Sequence, residues 1–195
     1  MQWTDIDGWC DFPEVYTAAV AALPENAVAV ELGSWLGKST ALFASLLRDA
    51  GRTDVKFFSV DHGFGNADKS AGVCQPAIAG AGCGNVAGRL AANLKACGVL
   101  EYVYPVTTTT VRAARLFPDE SVDFCFVDAN HTYESCLEDI RLWWPKIKPG
   151  GMLAGHDRDE HWPDVCRAVR DFFGHDGAHP LRSTCWGVVK PAANG

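Results

Sequence analysis

The sequence predicts a doubly wound α/β domain, a mostly parallel sheet with helices on both faces. Three observations predict it. Short apolar runs alternate with helical patterns along the whole chain, the rhythm of βαβ units. Those runs are almost wholly apolar, as strands buried on both faces are. Several end in an acid, which lines polar groups along the carboxyl edge where open sheets bind ligands. At 195 residues, 48% apolar and 21% charged, the chain suits one domain over 1–195 with a sizeable core.

A helix is expected over 13–23 with Pro13 in its first turn, then a turn at Pro24-Glu-Asn and a first strand over 27–32. A helix over 39–50 ends at Gly51, and a second strand covers 55–61. Residues 62–88 are rich in glycine and alanine and poor in large apolar side chains, so an insertion without a core element is expected there. It is either a lid over the site or a surface excursion. A helix resumes over 89–98, followed by a third strand over 101–106, a short helix over 111–117 and a fourth strand over 121–128. A helix over 133–147, a turn at Pro149-Gly-Gly and a fifth strand over 152–155 come next. A helix over 163–173 and one or two closing strands within 182–190 complete the domain. There is no internal repeat and no linker.

A net charge of −7 argues against nucleic acid as a standing partner, because phosphate binding needs a basic surface. No apolar run approaches the roughly 20 residues of a membrane-spanning helix. The start, Met-Gln-Trp-Thr-Asp-Ile-Asp, lacks the basic and apolar stretches of a signal peptide, so cytoplasm is the expectation. Eight cysteines are scattered without a C-x-x-C pair, which suits small buried hydrophobes in a reducing compartment. Cys74 and Cys83 share one loop and form a weaker candidate for a disulfide or metal clip.

The most informative stretch is Val28-Ala-Val-Glu-Leu-Gly-Ser-Trp-Leu-Gly-Lys-Ser-Thr40. Its Gly37-Lys38-Ser39 imitates the end of a phosphate-binding loop. That motif needs four residues between its first glycine and the Gly-Lys pair, and Gly33 to Gly37 leaves three. Glu31 argues the same way, since a carboxylate repels phosphates but binds an ammonium group or a ribose hydroxyl. Asp61 ends the second strand, where an acid accepts hydrogen bonds from ribose, and Asp128 and His156-Asp157 follow the fourth and fifth. Acids gathered on one rim repel each other unless a cation or hydrogen-bond donors sit among them, so they point to a shared ligand site. The G-x-G-x-x-G of a dinucleotide site is absent. The ligand expected is a nucleoside without a pyrophosphate.

Glu31-Leu-Gly-Ser-Trp-Leu-Gly-Lys-Ser39 resembles the first motif of catechol-type O-methyltransferases, which are class I S-adenosylmethionine enzymes. Val127-Asp-Ala-Asn-His-Thr-Tyr133, residues 142–147, Lys148-Pro-Gly-Gly151 and Gly155-His-Asp157 extend the likeness. They look like the sugar and macrolide O-methyltransferases and their cephalosporin hydroxylase-like relatives, over about residues 25–175. The resemblance implies a Rossmann-like class I methyltransferase sheet closed by an antiparallel strand. It implies that Glu31 and Gly33 hold the methionine end of S-adenosyl-L-methionine, with Ser34 and Ser39 near its carboxylate. Asp61 matches the ribose acid, followed by His62; Thr107 and Thr108 match the region beside adenine, and Asp128 completes the implied cofactor-binding set. The threonine string is equally a turn that caps the next helix.

Asp128 and Asp157 match two metal-ligand positions, and His156 matches a third that is usually an acid or amide. Mg²⁺ prefers oxygen donors, whereas imidazole suits Mn²⁺, Fe²⁺ or Zn²⁺ better. Either His156 points away, or the metal is softer than Mg²⁺, or there is none. His131 matches the family's basic residue and is otherwise a helix-start histidine. The implied reaction is transfer of a methyl group to a hydroxyl of a small molecule such as a sugar, polyketide or phenolic, aided by Mg²⁺ or Mn²⁺. Asp128 and His131 are its catalytic pair, and relatives often form homodimers. Trp3, Trp9 and Trp35 are candidates for apolar walls near the acceptor. Trp143 and Trp144 suit the core, and His161, His175 and His179 suit the surface. The alternatives are a non-catalytic relative that binds S-adenosylmethionine or only a metal, and a P-loop nucleotide-binding protein.

Overall fold

The computed structural model describes residues 1–66, 71–81 and 84–192. Its strands are β1 (Val28–Leu32), β2 (Lys56–Asp61), β3 (Val103–Thr107), β4 (Val122–Val127), β5 (Ile147–Gly155), β6 (His179–Pro180) and β7 (Trp186–Val189). The helices are α1 (Pro13–Ala22), α2 (Lys38–Asp49), α3 (Ala71–Gly80), α4 (Ala87–Ala96), α5 (Thr110–Ala113), α6 (Tyr133–Trp143) and α7 (Pro163–Phe173). The strands form one sheet in the order β3-β2-β1-β4-β5-β7-β6. β1 to β5 run parallel, and β7 lies antiparallel between β5 and β6. This is the predicted doubly wound sheet with its antiparallel closure. The strand order reverses between β1 and β4, and open sheets carry their crevice outside the carboxyl ends at such a reversal.

Period-2 alternation divides each central strand between two cores. Ala29, Phe57, Phe124 and Phe126 face one layer with α1, α2 and α4. Val30, Leu32, Val60, Cys125 and Val127 face the other with α6 and α7. In the first layer Phe12, Phe43 and Phe126 meet Tyr16 edge to face, which fixes α1 against the sheet. Cys125 and Cys136 belong to the second layer and Cys74, Cys97 and Cys185 to the first, so they behave as small core hydrophobes.

The structure departs from the expected elements where local chemistry intervenes. Residues 62–88 were expected to hold no core element, yet α3 forms there and buries Cys74 and Ile78. Those two residues are four apart and so share one helical face, and that small stripe suffices despite Pro76 inside the helix. Cys83, the second half of the expected Cys74–Cys83 clip, lies outside the described residues. α5 begins at Thr110 because the Thr109 hydroxyl accepts the Arg112 N–H at 3.3 Å. α6 stops at Trp143 and tightens into a 3₁₀ turn over Trp144–Lys146, since Pro145 cannot continue an α-helix. The Pro149-Gly-Gly turn is instead a bulge inside β5, where the register to β4 shifts between Val122 and Phe124. No helix among the described residues is long and apolar enough to cross a membrane.

Candidate active site

The loops at the carboxyl edge are laced together before any side chain is considered. Gly33 N–H donates to Val60 O at 2.9 Å, and Asp128 N–H donates to Leu32 O at 2.8 Å. Thr108 N–H donates to Asp61 O at 3.1 Å, and His156 N–H donates to Val127 O at 3.1 Å. The ladder thus continues past the strand ends and holds five loops in one register. Gly33 has φ +90°, and a Cβ there would lie 2.0 Å from the Asp128 carbonyl oxygen. Only glycine permits the first and fourth loops to approach so closely.

A cleft of about 940 Å³ opens above this edge. One half is framed by Gly33, Ser34, Trp35, Lys38, Ser39, Asp61, His62 and Thr108, the other by Asp128, His131, His156 and Asp157. The Asp61 carboxylate accepts the N–H groups of Ser34 (3.0 Å), Trp35 (2.8 Å) and Gly63 (2.6 Å). It therefore shapes the first loop while still lining the cleft. The Ser34 hydroxyl accepts from Ser59 at 2.6 Å. Asn66 reaches from the β2 side to donate to Ala129 O at 2.6 Å, so the start of the 62–88 segment bridges the cleft.

Two predicted cofactor residues sit elsewhere. Glu31 does not line the cleft. β1 continues to Leu32, so the Glu31 side chain turns into the α1–α2 layer, where it is 1% exposed. Its carboxylate accepts the Tyr16 hydroxyl at 2.7 Å and the Thr40 hydroxyl. Burial pushes this acid up to about 6 against those hydrogen bonds. Thr107 is exposed and borders a separate small cavity with Pro105 and Val106. Of the tryptophans, Trp9 and Trp35 line the cleft and Trp3 packs against the core. Trp143 is buried and Trp144 half-buried, as expected. His175 and His179 are exposed, whereas His161, also exposed, stands at the cleft mouth.

The opposite half gathers four titratable groups. Ligand atoms of Asp128, His131 and Asp157 all lie within 4.8 Å of one another. His131 Nε2 is 2.9 Å from Asp157 Oδ2 and 3.7 Å from Asp128 Oδ1. His156 Nδ1 is 3.3 Å from Asp157 Oδ1 and 3.8 Å from Asp128 Oδ1. His131 therefore closes the cluster at least as tightly as the predicted His156. Burial alone would lower both histidines, but the two carboxylates override it and hold His131 at about 10 and His156 at about 9. Burial would raise Asp157, yet the hydrogen bonds from His131 and His156 keep it well below the usual carboxylate range. Asp157 also holds φ +61°, a left-handed conformation that fixes its direction.

Residues 30–158, about two thirds of the chain, match a family described as a methyltransferase domain. The chain belongs to that family. The solved structures most like this methyltransferase include the O-methyltransferase NovP, at 20% identity and a TM-score of 0.66, covering 92% of this chain and 79% of that one. CalS11, a TDP-rhamnose 3'-O-methyltransferase of calicheamicin biosynthesis, matches at 17% identity and 0.58, covering 91% and 76%. A methyltransferase from Streptococcus mutans, solved with S-adenosylhomocysteine, matches at 12% and 0.60, covering 94% and 99%. The protein is thus a class I S-adenosylmethionine-dependent methyltransferase by family and fold. The lining of the cleft is rich in carboxylates, which suit the sulfonium and ammonium of that cofactor.

The sequence reading missed four contributors. Asp139 on α6 is 2% exposed and borders the cleft near Thr110, and burial pushes its carboxyl up to about 7. The Trp162 ring packs on His131 with centroids 4.0 Å apart. Asp11 reaches from the N-terminal segment to His156 and accepts from Ser183. Asn66 supplies the bridge described above. A tryptophan just before the α7 proline was the one sequence signal available among them.

Proposed function

We propose that the protein transfers the methyl group of S-adenosyl-L-methionine to a hydroxyl of a small molecule, with a divalent cation at Asp128 and Asp157. The observation that carries this reading is the Asp128–His131–Asp157 cluster facing the Gly33–Asp61 half of the same cleft. NovP and CalS11 are O-methyltransferases, which favours oxygen as the acceptor atom. Bound S-adenosylmethionine supplies an already activated methyl group, so the protein must align an acceptor and make it nucleophilic. A divalent cation would lower the pKa of a bound hydroxyl.

The residues divide this work. Ser34, Asp61, His62 and Thr108 frame the nucleoside half, and Gly33 lets the backbone approach. Asp128 and Asp157 provide oxygen donors, with His156 as a nitrogen donor beside them, a mixed set that favours Mn²⁺ or Fe²⁺ over Mg²⁺. His131 is the proton acceptor. While both carboxylates face it, His131 keeps its own proton. With those carboxylates turned to a cation, it returns toward neutrality and can take the proton of the hydroxyl. Trp162 holds its ring in place.

Asp128→Asn and Asp157→Asn test the assignment. Both should abolish metal-stimulated turnover and leave S-adenosylhomocysteine affinity within about threefold of wild type, since the nucleoside half is untouched. Full activity in excess chelator would remove the cation from the reading.

A further inference from the structure

We propose that Asp11 is a positioning residue for the cation site: it holds the Nε2 edge of His156, so that Nδ1 is presented toward Asp157 and Asp128. The proposal rests on the cation reading of the same cleft. An imidazole that coordinates a cation does so through one nitrogen and carries its proton on the other. The partner of that proton fixes both the tautomer and the direction of the ring. His156 has neighbours suited to both roles. Nδ1 lies 3.3 Å from Asp157 Oδ1 and 3.8 Å from Asp128 Oδ1, on the cation side. Nε2, on the far edge of the ring, lies 2.9 Å from Asp11 Oδ1. A carboxylate there keeps the proton on Nε2 and leaves the Nδ1 lone pair for a cation.

The surrounding contacts give the ring little freedom. His156 follows Gly155, the last residue of β5, where a Cβ would stand 2.6 Å from Trp186 Cζ2. The His156 side chain is 10% exposed, and its backbone N–H donates to Val127 O at 3.1 Å. The ring of Phe12, buried just ahead of α1, packs on the imidazole with centroids 4.7 Å apart. Asp11 and Phe12 are consecutive, so one short stretch grips both the ring and its far nitrogen. Asp11 is itself tied down, because its Oδ2 accepts the Ser183 hydroxyl and leaves Oδ1 for Nε2. Residues 11–12, the end of β5 and the turn between β6 and β7 thus meet at His156. The seating of residues 11–12 therefore governs the nitrogen donor, while the oxygen donors Asp128 and Asp157 are placed by β4 and β5. The consequence is selective: loss of Asp11 should weaken ions that use imidazole, such as Mn²⁺, and spare Mg²⁺, which prefers oxygen. A general fold defect would weaken both.

The test titrates MnCl₂ and MgCl₂ by calorimetry into the wild type, Asp11→Ala, His156→Ala and the double variant. Asp11→Ala should weaken Mn²⁺ binding by about tenfold, the low end for losing a carboxylate behind a ligating imidazole, because the Asp11 side chain is 62% exposed. Its Mg²⁺ affinity should change by less than about threefold. In the His156→Ala background the further Asp11→Ala change should alter Mn²⁺ affinity by less than about twofold, since no ring remains to position. Asp11→Asn keeps an acceptor oxygen and should recover part of the loss. Wild-type Mn²⁺ affinity in Asp11→Ala, an equal loss of Mn²⁺ and Mg²⁺, or a tenfold loss that persists without His156 overturns the proposal and leaves the cation reading standing. A wild type that binds no Mn²⁺, or whose Mn²⁺ affinity survives Asp128→Asn, overturns the cation reading, and the proposal falls with it.

Discussion

Gly33→Ala is the sharpest perturbation the structure offers. The added Cβ would stand 2.0 Å from Asp128 O, 2.6 Å from Asp128 C and 2.7 Å from Ala129 Cα. All three are backbone atoms in a loop held by the Asp128 N–H to Leu32 O hydrogen bond of 2.8 Å. Nothing there can swing aside as a side-chain end would. Alanine at φ +90° adds about 1 kcal/mol of conformational cost, and forced overpacking adds about 1–3 kcal/mol. Gly51→Ala is the control, because Gly51 has φ +66° with nothing within 4 Å of its Cβ. It should lose only the conformational share, about 1 kcal/mol. Urea unfolding of the two variants isolates the steric part, and calorimetry with S-adenosylhomocysteine reads the site. Gly33→Ala should fall below Gly51→Ala by about 1–3 kcal/mol and bind the product more than about tenfold more weakly. Stabilities equal within about 0.5 kcal/mol would refute the close approach of these loops.

Asp61→Ala leaves the N–H groups of Ser34, Trp35 and Gly63 without their acceptor. It should cost about 1–3 kcal/mol by thermal or urea unfolding and weaken nucleoside binding, whereas an unchanged affinity would detach Asp61 from the cofactor half. Asp139 predicts a pH dependence. Burial raises it to about 7 from 3.8, so the folded protein holds a proton that the unfolded chain has released. Its contribution is complete below pH 3.8 and is lost as pH rises through 7. Asp139→Asn should therefore raise stability at pH 8 by about 2–4 kcal/mol and flatten the wild-type decline between about pH 4 and 7. An unchanged slope in urea midpoints over that range would show that Asp139 titrates normally.

The alternation of apolar runs and helical periods disclosed the architecture because every central strand is covered on both faces. The rim was legible for a related reason. Asp61 ends β2, and Asp128 and Asp157 follow β4 and β5, so topology alone delivers them to one edge. Glu31 misled because the residue type outweighed the register: the expected strand already ran to Leu32, and alternation one residue before its end turns Glu31 into the α1–α2 layer. α3 escaped because its buried stripe consists of Cys74 and Ile78 among alanines and glycines, which gives little amphipathic contrast. Asp139 was hidden among Glu134 and Glu138 on α6, where a run of acids resembles a solvated face. Burial by the second layer is a tertiary fact that no local pattern carries. The same holds for Asp11, which reaches the site from the N-terminal segment.

The central claim is that this cleft holds a sulfonium nucleoside and not a nucleotide phosphate. Isothermal titration of the wild-type protein with S-adenosylhomocysteine, ATP and NAD tests it most directly. One site with a dissociation constant in the micromolar range for S-adenosylhomocysteine, and no heat from ATP or NAD, is the expected result. Saturable binding of ATP without binding of S-adenosylhomocysteine would contradict it.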